Sequence, residues 1–499
     1  MWRLSLMRNR RYVLHILLIL VFAGALTAAL KIGQSDDANR SGDRTTIIQL
    51  QRTLIEVIQM TRENYYREVD VKKMMEGAIK GALASLGDPY TFYQSPEDQK
   101  RERENLFEAQ FGGIGIRIYE DKGFIKIAMP LPNTPASRAG LQPGDIILKV
   151  DGKTAVLGAE TGLNIYDVVD MLRGKPNTPV TVTIKRRGRA EPFDVTLIRQ
   201  VIDIESVKYA MLPDKIGYIW VMSFTGKTEQ EFAKAVNELK REGMKALILD
   251  LRWDSGGLLS AAKAVADAFL SEGVIVSTKG RRKEFNNVFM ADEKTLVPND
   301  MDLVVLVNDV SASGAEIVAG AIKDNKRGVL LGTKTYGKGV VQERFPLRYG
   351  GAVSITISSY YTPSGVCIDK QGIEPNIIVE PRKLDDVEAA MREKMYESGV
   401  LENFVISRIE SYERKNGKTP KDFKLIEAKL PQLMKKLREE GIDLDEEIIR
   451  IEARKVFDMN VGISRVPDPE TDKQLQKAIE VIKNGMVAKA LSSEKPIKM

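Results

Sequence analysis

The spacing of apolar positions changes character along the chain, and each change marks a segment. Tyr12 to Leu30 is an apolar run without formal charge, and Gln34 to Asp43 is polar and reads as a short tether. From Arg44 the spacing is helical, with Leu50, Leu54, Val57 and Ile58 on one face. A second helical run, Met74 to Leu86, is stopped by Gly87-Asp88-Pro89. From Phe111 to about Val201 short alternations take over: Ile114, Ile116, Ile118, then Ile125, Ile127, then Val180, Val182, Ile184. Period two predicts strands, and one helix, Ile165 to Leu172, interrupts them.

From Ile216 to about Gly332 strands and helices alternate. Ile216–Met222, Ala246–Leu251, Leu303–Val307 and Val329–Leu331 read as strands, and Leu258–Phe269 and Ala315–Ile322 as helices. Thr228-Glu229-Gln230-Glu231 fits a capping box ahead of Phe232, Val236 and Leu239. This pattern predicts an α/β core with crossover connections, followed by a strand pair, Val340–Leu347 and Ala352–Tyr361. After about Pro381 the composition turns to Lys, Glu and Leu. That predicts helices to the end, broken near Gly399, Gly417 and Gly441, with the last residues frayed.

Composition narrows the chemistry. With 499 residues the chain is too long for one core. Its net charge of +6 declares no nucleic-acid footprint. One cysteine, Cys367, excludes an internal disulfide framework and any multi-thiolate metal site. The one histidine, His15, lies inside the apolar run, which Arg3, Arg8, Arg10 and Arg11 precede and Lys31 closes. That run is longer than the apolar region of a usual cleaved signal and close to the length that spans a bilayer, so a retained anchor over residues 12–30 is expected. Small residues such as Ala23, Gly24 and Ala25 leave cleavage open, and the chain would then be secreted. In either case the basic flank stays cytoplasmic and the residues after Lys31 are extracytoplasmic.

A peptide hydrolase needs a nucleophile, a base and donors for the oxyanion. With His15 in the membrane, a Ser-His-Asp triad is excluded by inventory, and a zinc site nearly so. A serine with a neutral lysine remains, which calls for no cofactor and no metal. Three segments bear on this. Asn308-Asp309-Val310-Ser311-Ala312-Ser313-Gly314-Ala315-Glu316 joins a strand to a helix, where a serine either caps the helix or faces an anion. Gly332-Thr333-Lys334-Thr335-Tyr336-Gly337-Lys338-Gly339 nearly matches a phosphate-binding loop. Gly339 stands where the magnesium-binding hydroxyl belongs, however, and a strand follows instead of a helix. Asp250-Leu251-Arg252-Trp253-Asp254-Ser255-Gly256-Gly257 ends a strand in a double glycine, either an ordinary βα turn or a cradle of amides.

Together these segments resemble the C-terminal processing peptidases, or tail-specific proteases. The resemblance implies an α/β multidomain fold: an α/β protease core with an inserted β-rich PDZ domain, flanked by helical regions. The domains would be 1–33 anchor or signal, 34–107 tether and helical region, 108–201 PDZ, 202–382 protease core and 383–499 helical. It selects Ser313 over Ser311 as nucleophile and Lys338 over Lys334 as base. Gln342 would orient the lysine, and the amides of Gly256, Gly257 and Gly314 would hold the oxyanion. Departures from the family pattern are Gly314 and Ala315 in the serine segment, and Asp254 and Ser255 where the turn usually reads Asn-Pro. In the PDZ domain, Gly113-Ile114-Gly115-Ile116 matches the loop that grips a peptide's terminal carboxylate, and the peptide would add as a strand. Its last side chain would sit against Val168, Val169 and Leu172, so apolar C-termini are the expected protein substrates. Arg173 matches an arginine that couples PDZ occupancy to the active site; a helix C-terminal cation is the plainer reading.

The enzyme reading is a membrane-tethered, extracytoplasmic serine endopeptidase. A non-catalytic PDZ scaffold for exported C-termini is the alternative, and it leaves Ser313, Lys338 and Gln342 unexplained. A penicillin-binding enzyme would need S-x-x-K in a folded helix, and the flagged spacing, Ser492-Ser493-Glu494-Lys495, lies in the tail. The apolar faces of both flanking helical regions fit a homodimer, or packing on their own core.

Overall fold

A computed structural model describes residues 46–158, 161–186, 189–382, 384–463, 467–493 and 495–499. The apolar run 12–30, His15 and the tether lie outside the described residues, and so does Glu494. Among the described residues no helix is long and apolar enough to cross a membrane. The chain divides into two compact units, residues 1–93 and 94–499.

The first unit carries a helix over 46–64 and a second, Val71–Ala84, capped by Asp70, whose carboxylate accepts the Lys73 N–H at 3.0 Å. On the first helix Ile58 is buried, while Leu50 and Val57 of the apolar face are 62% and 50% exposed.

In the second unit, the alternating segment folds as a sheet in the order Ile116–Asp121, Phe124–Pro130, Ile146–Val150, Pro179–Lys185, Phe193–Ile198. Alternation buries one side of each strand: Ile125, Ile127, Val180, Val182 and Ile184 form its core. The helix Ile165–Leu172 packs there too, started by a reciprocal cap between Asn164 and Asp167. Gln110–Gly113 and Gln200–Asp203 pair antiparallel where the chain enters and leaves this domain, from Gln110 opposite Asp203 to Gly113 opposite Gln200.

The α/β core is a seven-stranded sheet. Its order is Val207–Leu212, Ile216–Val221, Ala246–Asp250, Asp302–Val307, Val329–Gly332, Ile377–Ile378 and Ile497–Lys498, and only the first strand is antiparallel to its neighbour. All five residues of Ala246–Asp250 are buried, as a central parallel strand requires. Helices Thr228–Arg241, Leu259–Asp267 and Gly314–Asp324 cover one face, and Lys473–Lys483 with Val487–Leu491 cover the other. A second sheet is built from Val274–Gly280, Asn287–Met290, Val340–Pro346 and Ala352–Tyr361.

Two expectations are corrected. The segment Thr228–Glu231 is not a capping box: Thr228 accepts the Thr225 N–H, and Glu231 turns back to the Ser206 N–H and hydroxyl. The last residues are not frayed, because Ile497–Lys498 complete the core sheet beside Ile377–Ile378. The C-terminal region thus has two roles. Helices from Asp386 to Val461 form a bundle around Phe404, Leu433, Ile449 and Phe457, whereas the tail after it returns to the core. A buried network fixes that return: Arg252 pairs with Asp250 at 2.6 Å and Asp472 at 2.5 Å, and donates to Gln474.

Candidate active site

Two parallel strands set the site. Asp302–Val307 and Val329–Gly332 run side by side, so the loops leaving their C-terminal ends, 308–313 and 333–339, emerge together. The Tyr336 N–H donates to the Ser311 carbonyl at 3.0 Å and stitches them. Ser313 ends the first loop as the N-cap of Gly314–Asp324, at φ +52° and ψ −110°, a conformation rare for a residue with a side chain. Ser311 is structural instead: its hydroxyl is buried, donates to the Leu251 carbonyl and accepts the Asn308 N–H. Lys334 lies at the surface, paired with Glu374 at 3.1 Å.

Glu316 joins the loops. Its Oε2 accepts the N–H of Ser313 and the N–H of Lys338, both at 2.9 Å. Its Oε1 accepts the Thr335 hydroxyl at 2.6 Å and the Gly337 N–H at 2.7 Å. This fully buried carboxylate therefore holds the backbones of both sequence-predicted residues on one oxygen. Burial pushes its carboxyl above the usual range, and the four donors oppose that shift. Sequence reasoning gave Glu316 no role, although a serine followed three residues later by glutamate was the available signal.

Lys338 is half-buried, and burial lowers the pKa of its ammonium below the ordinary lysine value, against the attraction of Glu316. Gln342 lies beyond it on Val340–Pro346, where the register with Ala352–Tyr361 shifts between Val341 and Gln342. At this bulge Gln342 Nε2 is buried with no hydrogen-bond partner among the described residues.

The double-glycine turn lies against the nucleophile loop. At Gly256, φ +101°, a Cβ would fall 2.8 Å from both Ser313 Cβ and Gly314 N; at Gly257 it would fall 2.1 Å from the Phe224 carbonyl. Only glycine permits this approach. A Cβ at Gly314 would meet the Phe224 ring at 2.9 Å, a physical reason for glycine there in place of alanine. Gly256 is a correction, because its N–H donates to Asp254 Oδ1 at 2.7 Å and is not available to an oxyanion. Among the described residues the N–H groups of Gly257 and Gly314 bind no protein acceptor, and Gly257 is exposed.

In the PDZ-like sheet a cavity of about 110 Å³ is lined by Phe111, Gly113, Ile114, Gly115, Ile116, Ile118, Val169, Leu172 and Arg173. The N–H groups of Ile114 and Gly115 have no acceptor among the described residues. Val168 is a second correction: it is fully buried in the domain core and cannot touch a peptide. Phe111 and Ile118 were missed, and Phe111 also carries the Arg173 guanidinium 4.0 Å above its ring. Arg173 Nη2 donates to Asn105 at 3.0 Å and Nη1 pairs with Glu104 at 3.9 Å, while among the described residues the buried Nε and Nη1 have no hydrogen-bond partner. Burial lowers its pKa, opposed by Glu104 and Asp170. The arginine thus reaches the segment around residues 96–107, not the Ser313 loop. Arg344 of the Gln342 strand pairs with Glu102 of that same segment.

Three family profiles match: peptidase family S41 over residues 215–379, a PDZ domain over 127–186, and the activating protease CtpB N-terminal domain over 24–98. The carboxy-terminal-processing protease of Bartonella bacilliformis is 38% identical over 72% of this chain and 82% of its own. The carboxy-terminal processing protease CtpA of Bacillus subtilis is 31% identical over 96% of this chain and all of its own. The solved structure of a photosystem II D1 C-terminal processing protease aligns with a TM-score of 0.41 at 30% identity, covering 66% of this chain and 87% of that one.

Proposed function

Because the chain belongs to the carboxy-terminal-processing serine proteases of peptidase family S41, we propose that Ser313 is its nucleophile and Lys338 its general base. The observation that carries this reading is the single Glu316 oxygen that accepts both backbone N–H groups. Neutral Lys338 takes the Ser313 Oγ proton as Oγ attacks the scissile carbonyl carbon. The oxyanion forms against the Gly257 and Gly314 N–H groups, and Gly256 shapes their turn. The lysine's ammonium then passes its proton to the leaving amine, and an acyl-enzyme remains. Water, losing a proton to Lys338, attacks the ester and frees Ser313. Gln342, whose buried Nε2 has no hydrogen-bond partner among the described residues, takes the role of orienting the lysine.

The PDZ domain selects the substrate by its C-terminus. A peptide adds along Ile116–Asp121, its carboxylate on the Ile114 and Gly115 amides and its last, apolar side chain among Ile114, Val169 and Leu172. Arg173 senses occupancy through the 96–107 segment. Residues 12–30 anchor the chain, with the catalytic part extracytoplasmic, and the exposed apolar face of the 46–64 helix supports a homodimer. The decisive experiment compares hydrolysis of one unstructured, apolar-tailed substrate with a free and an amidated C-terminus, by wild type, Ser313→Ala and Lys338→Ala. Full cleavage by either variant removes the Ser–Lys assignment, and equal cleavage of the two substrates removes the carboxylate reading.

A further inference from the structure

Asp254 is fully buried between the double-glycine turn and the nucleophile loop. Its Oδ1 accepts the Gly256 N–H at 2.7 Å, and its own carbonyl accepts the N–H of Ala312, the residue before Ser313, at 2.9 Å. Its Oδ2 is buried with no hydrogen-bond partner among the described residues. A carboxylate leaves that oxygen charged and unsolvated, which is the costliest arrangement for a buried polar atom. A carboxylic acid leaves it as a neutral hydroxyl, close in shape to the amide of asparagine.

The surrounding titratable groups do not neutralise it. On its own strand end, Arg252 is committed to Asp250 and Asp472. On the facing loop Asp309 is exposed. On the next helix Glu316 is closed by four donors, two of them the Ser313 and Lys338 backbones. On the 223–228 segment Lys227 pairs with Asp203, and on Leu259–Asp267 the Asp267 carboxylate accepts the Asp292 N–H. The balance at Asp254 is set by burial, which pushes its carboxyl well above the usual range, opposed by the Gly256 N–H alone.

We propose that Asp254, as a neutral acid, is a positioning residue of the oxyanion turn, and that its ionisation sets the alkaline limit of catalysis. Its carboxyl holds Gly256 and Ala312, and through them the turn that presents the Gly257 and Gly314 amides. Loss of the Oδ2 proton to solvent places a fixed negative charge behind the amides where the oxyanion develops, and like charges there oppose the transition state. Lys338 must lose its proton for the reaction and Asp254 must keep one, so the two act in opposite directions as pH rises. This rests on the Ser313–Lys338 reading.

The test is the pH profile of kcat/KM for wild type, Asp254→Asn and Asp254→Ala. Wild-type activity falls about tenfold per pH unit beyond the carboxyl's titration. Asp254→Asn abolishes that limb, raises the optimum pH and leaves the midpoint of the acid limb in place. Asp254→Ala, without the acceptor for Gly256, loses about tenfold or more at every pH. Superimposed profiles for wild type and Asn overturn the proposal, as does a parallel loss in Asn at every pH or full activity in Ala. A second arm needs no catalysis: in Ser313→Ala, infrared difference spectra at neutral pH contain a protonated-carboxyl C=O band that Asp254→Asn removes. Its absence from the parent overturns the proposal, whereas failure of the Ser–Lys reading shows separately as activity in Lys338→Ala.

Discussion

Replacing Glu316 by glutamine keeps its shape and removes its charge. The carboxylate has four donors and no donor of its own, two on each oxygen. In one orientation the new NH2 group faces the N–H groups of Ser313 and Lys338. In the other it faces the Gly337 N–H and the Thr335 hydroxyl, which cannot easily turn because it already accepts the Ile373 N–H at 2.7 Å. At least one buried N–H is orphaned either way, at about 1–3 kcal/mol each, with a further loss from replacing charge-assisted bonds by neutral ones. The milder orientation is therefore worth about 1–3 kcal/mol and the harsher one roughly twice that. Because the loops bearing Ser313 and Lys338 are the part released, activity falls along with stability, by about 10- to 100-fold in kcat/KM. The remaining activity shifts its acid limb to lower pH, since Glu316 raises the pKa of Lys338 and the substitution removes that attraction. Thermal unfolding with kcat/KM against pH measures all three effects. A Glu316→Gln enzyme with wild-type melting and an unshifted profile would refute the reasoning.

Other consequences are as direct. Gly256→Ala drives a Cβ into Ser313 and Gly314 at positive φ, so peptide hydrolysis collapses while the far-ultraviolet circular dichroism spectrum persists; retained kcat contradicts the close approach. Val169→Ser changes the preferred C-terminal residue in a peptide-binding titration. Val168→Ala instead costs about 1–3 kcal/mol of stability with preference unchanged, and the reverse pattern would exchange their roles. Arg252→Ala leaves Asp250 buried beside Asp472 without their cation, a loss of about 3–5 kcal/mol in denaturant unfolding. Lysine burial lowers the pH at which the base becomes neutral, so wild-type activity rises with pH below the ordinary lysine range. A profile flat from pH 5 to 9 counts against Lys338 as base.

Periodicity was sufficient for what is periodic. Ile165–Leu172 and the strand pair at Val340 and Ala352 emerge close to their predicted bounds because their apolar spacing is regular and their ends carry strong caps or turns. It fails where one residue has two uses. Val168 and Val169 are adjacent on one helix, and helical spacing alone does not say which faces the domain core and which the groove. Thr228 and Glu231 have the spacing of a cap, but Ser206, distant in sequence, competes for both. Glu316 hid for the same reason, since its local bond to Ser313 imitates an ordinary helix start while its other partners lie on the 333–339 loop. The double glycine alone makes the Gly256 amide read as a donor to substrate, whereas Asp254, two residues before it, accepts that N–H. Ile497–Lys498 carry too little pattern to announce a strand, and only the open edge at Ile377–Ile378 gives them one.

The central claim is tested most directly by labelling with a serine-reactive phosphonate and mapping the adduct by mass spectrometry. One adduct is expected, on Ser313, lost in Ser313→Ala and suppressed in Lys338→Ala at the same pH. An adduct that survives Ser313→Ala, or full labelling of Lys338→Ala, would contradict it.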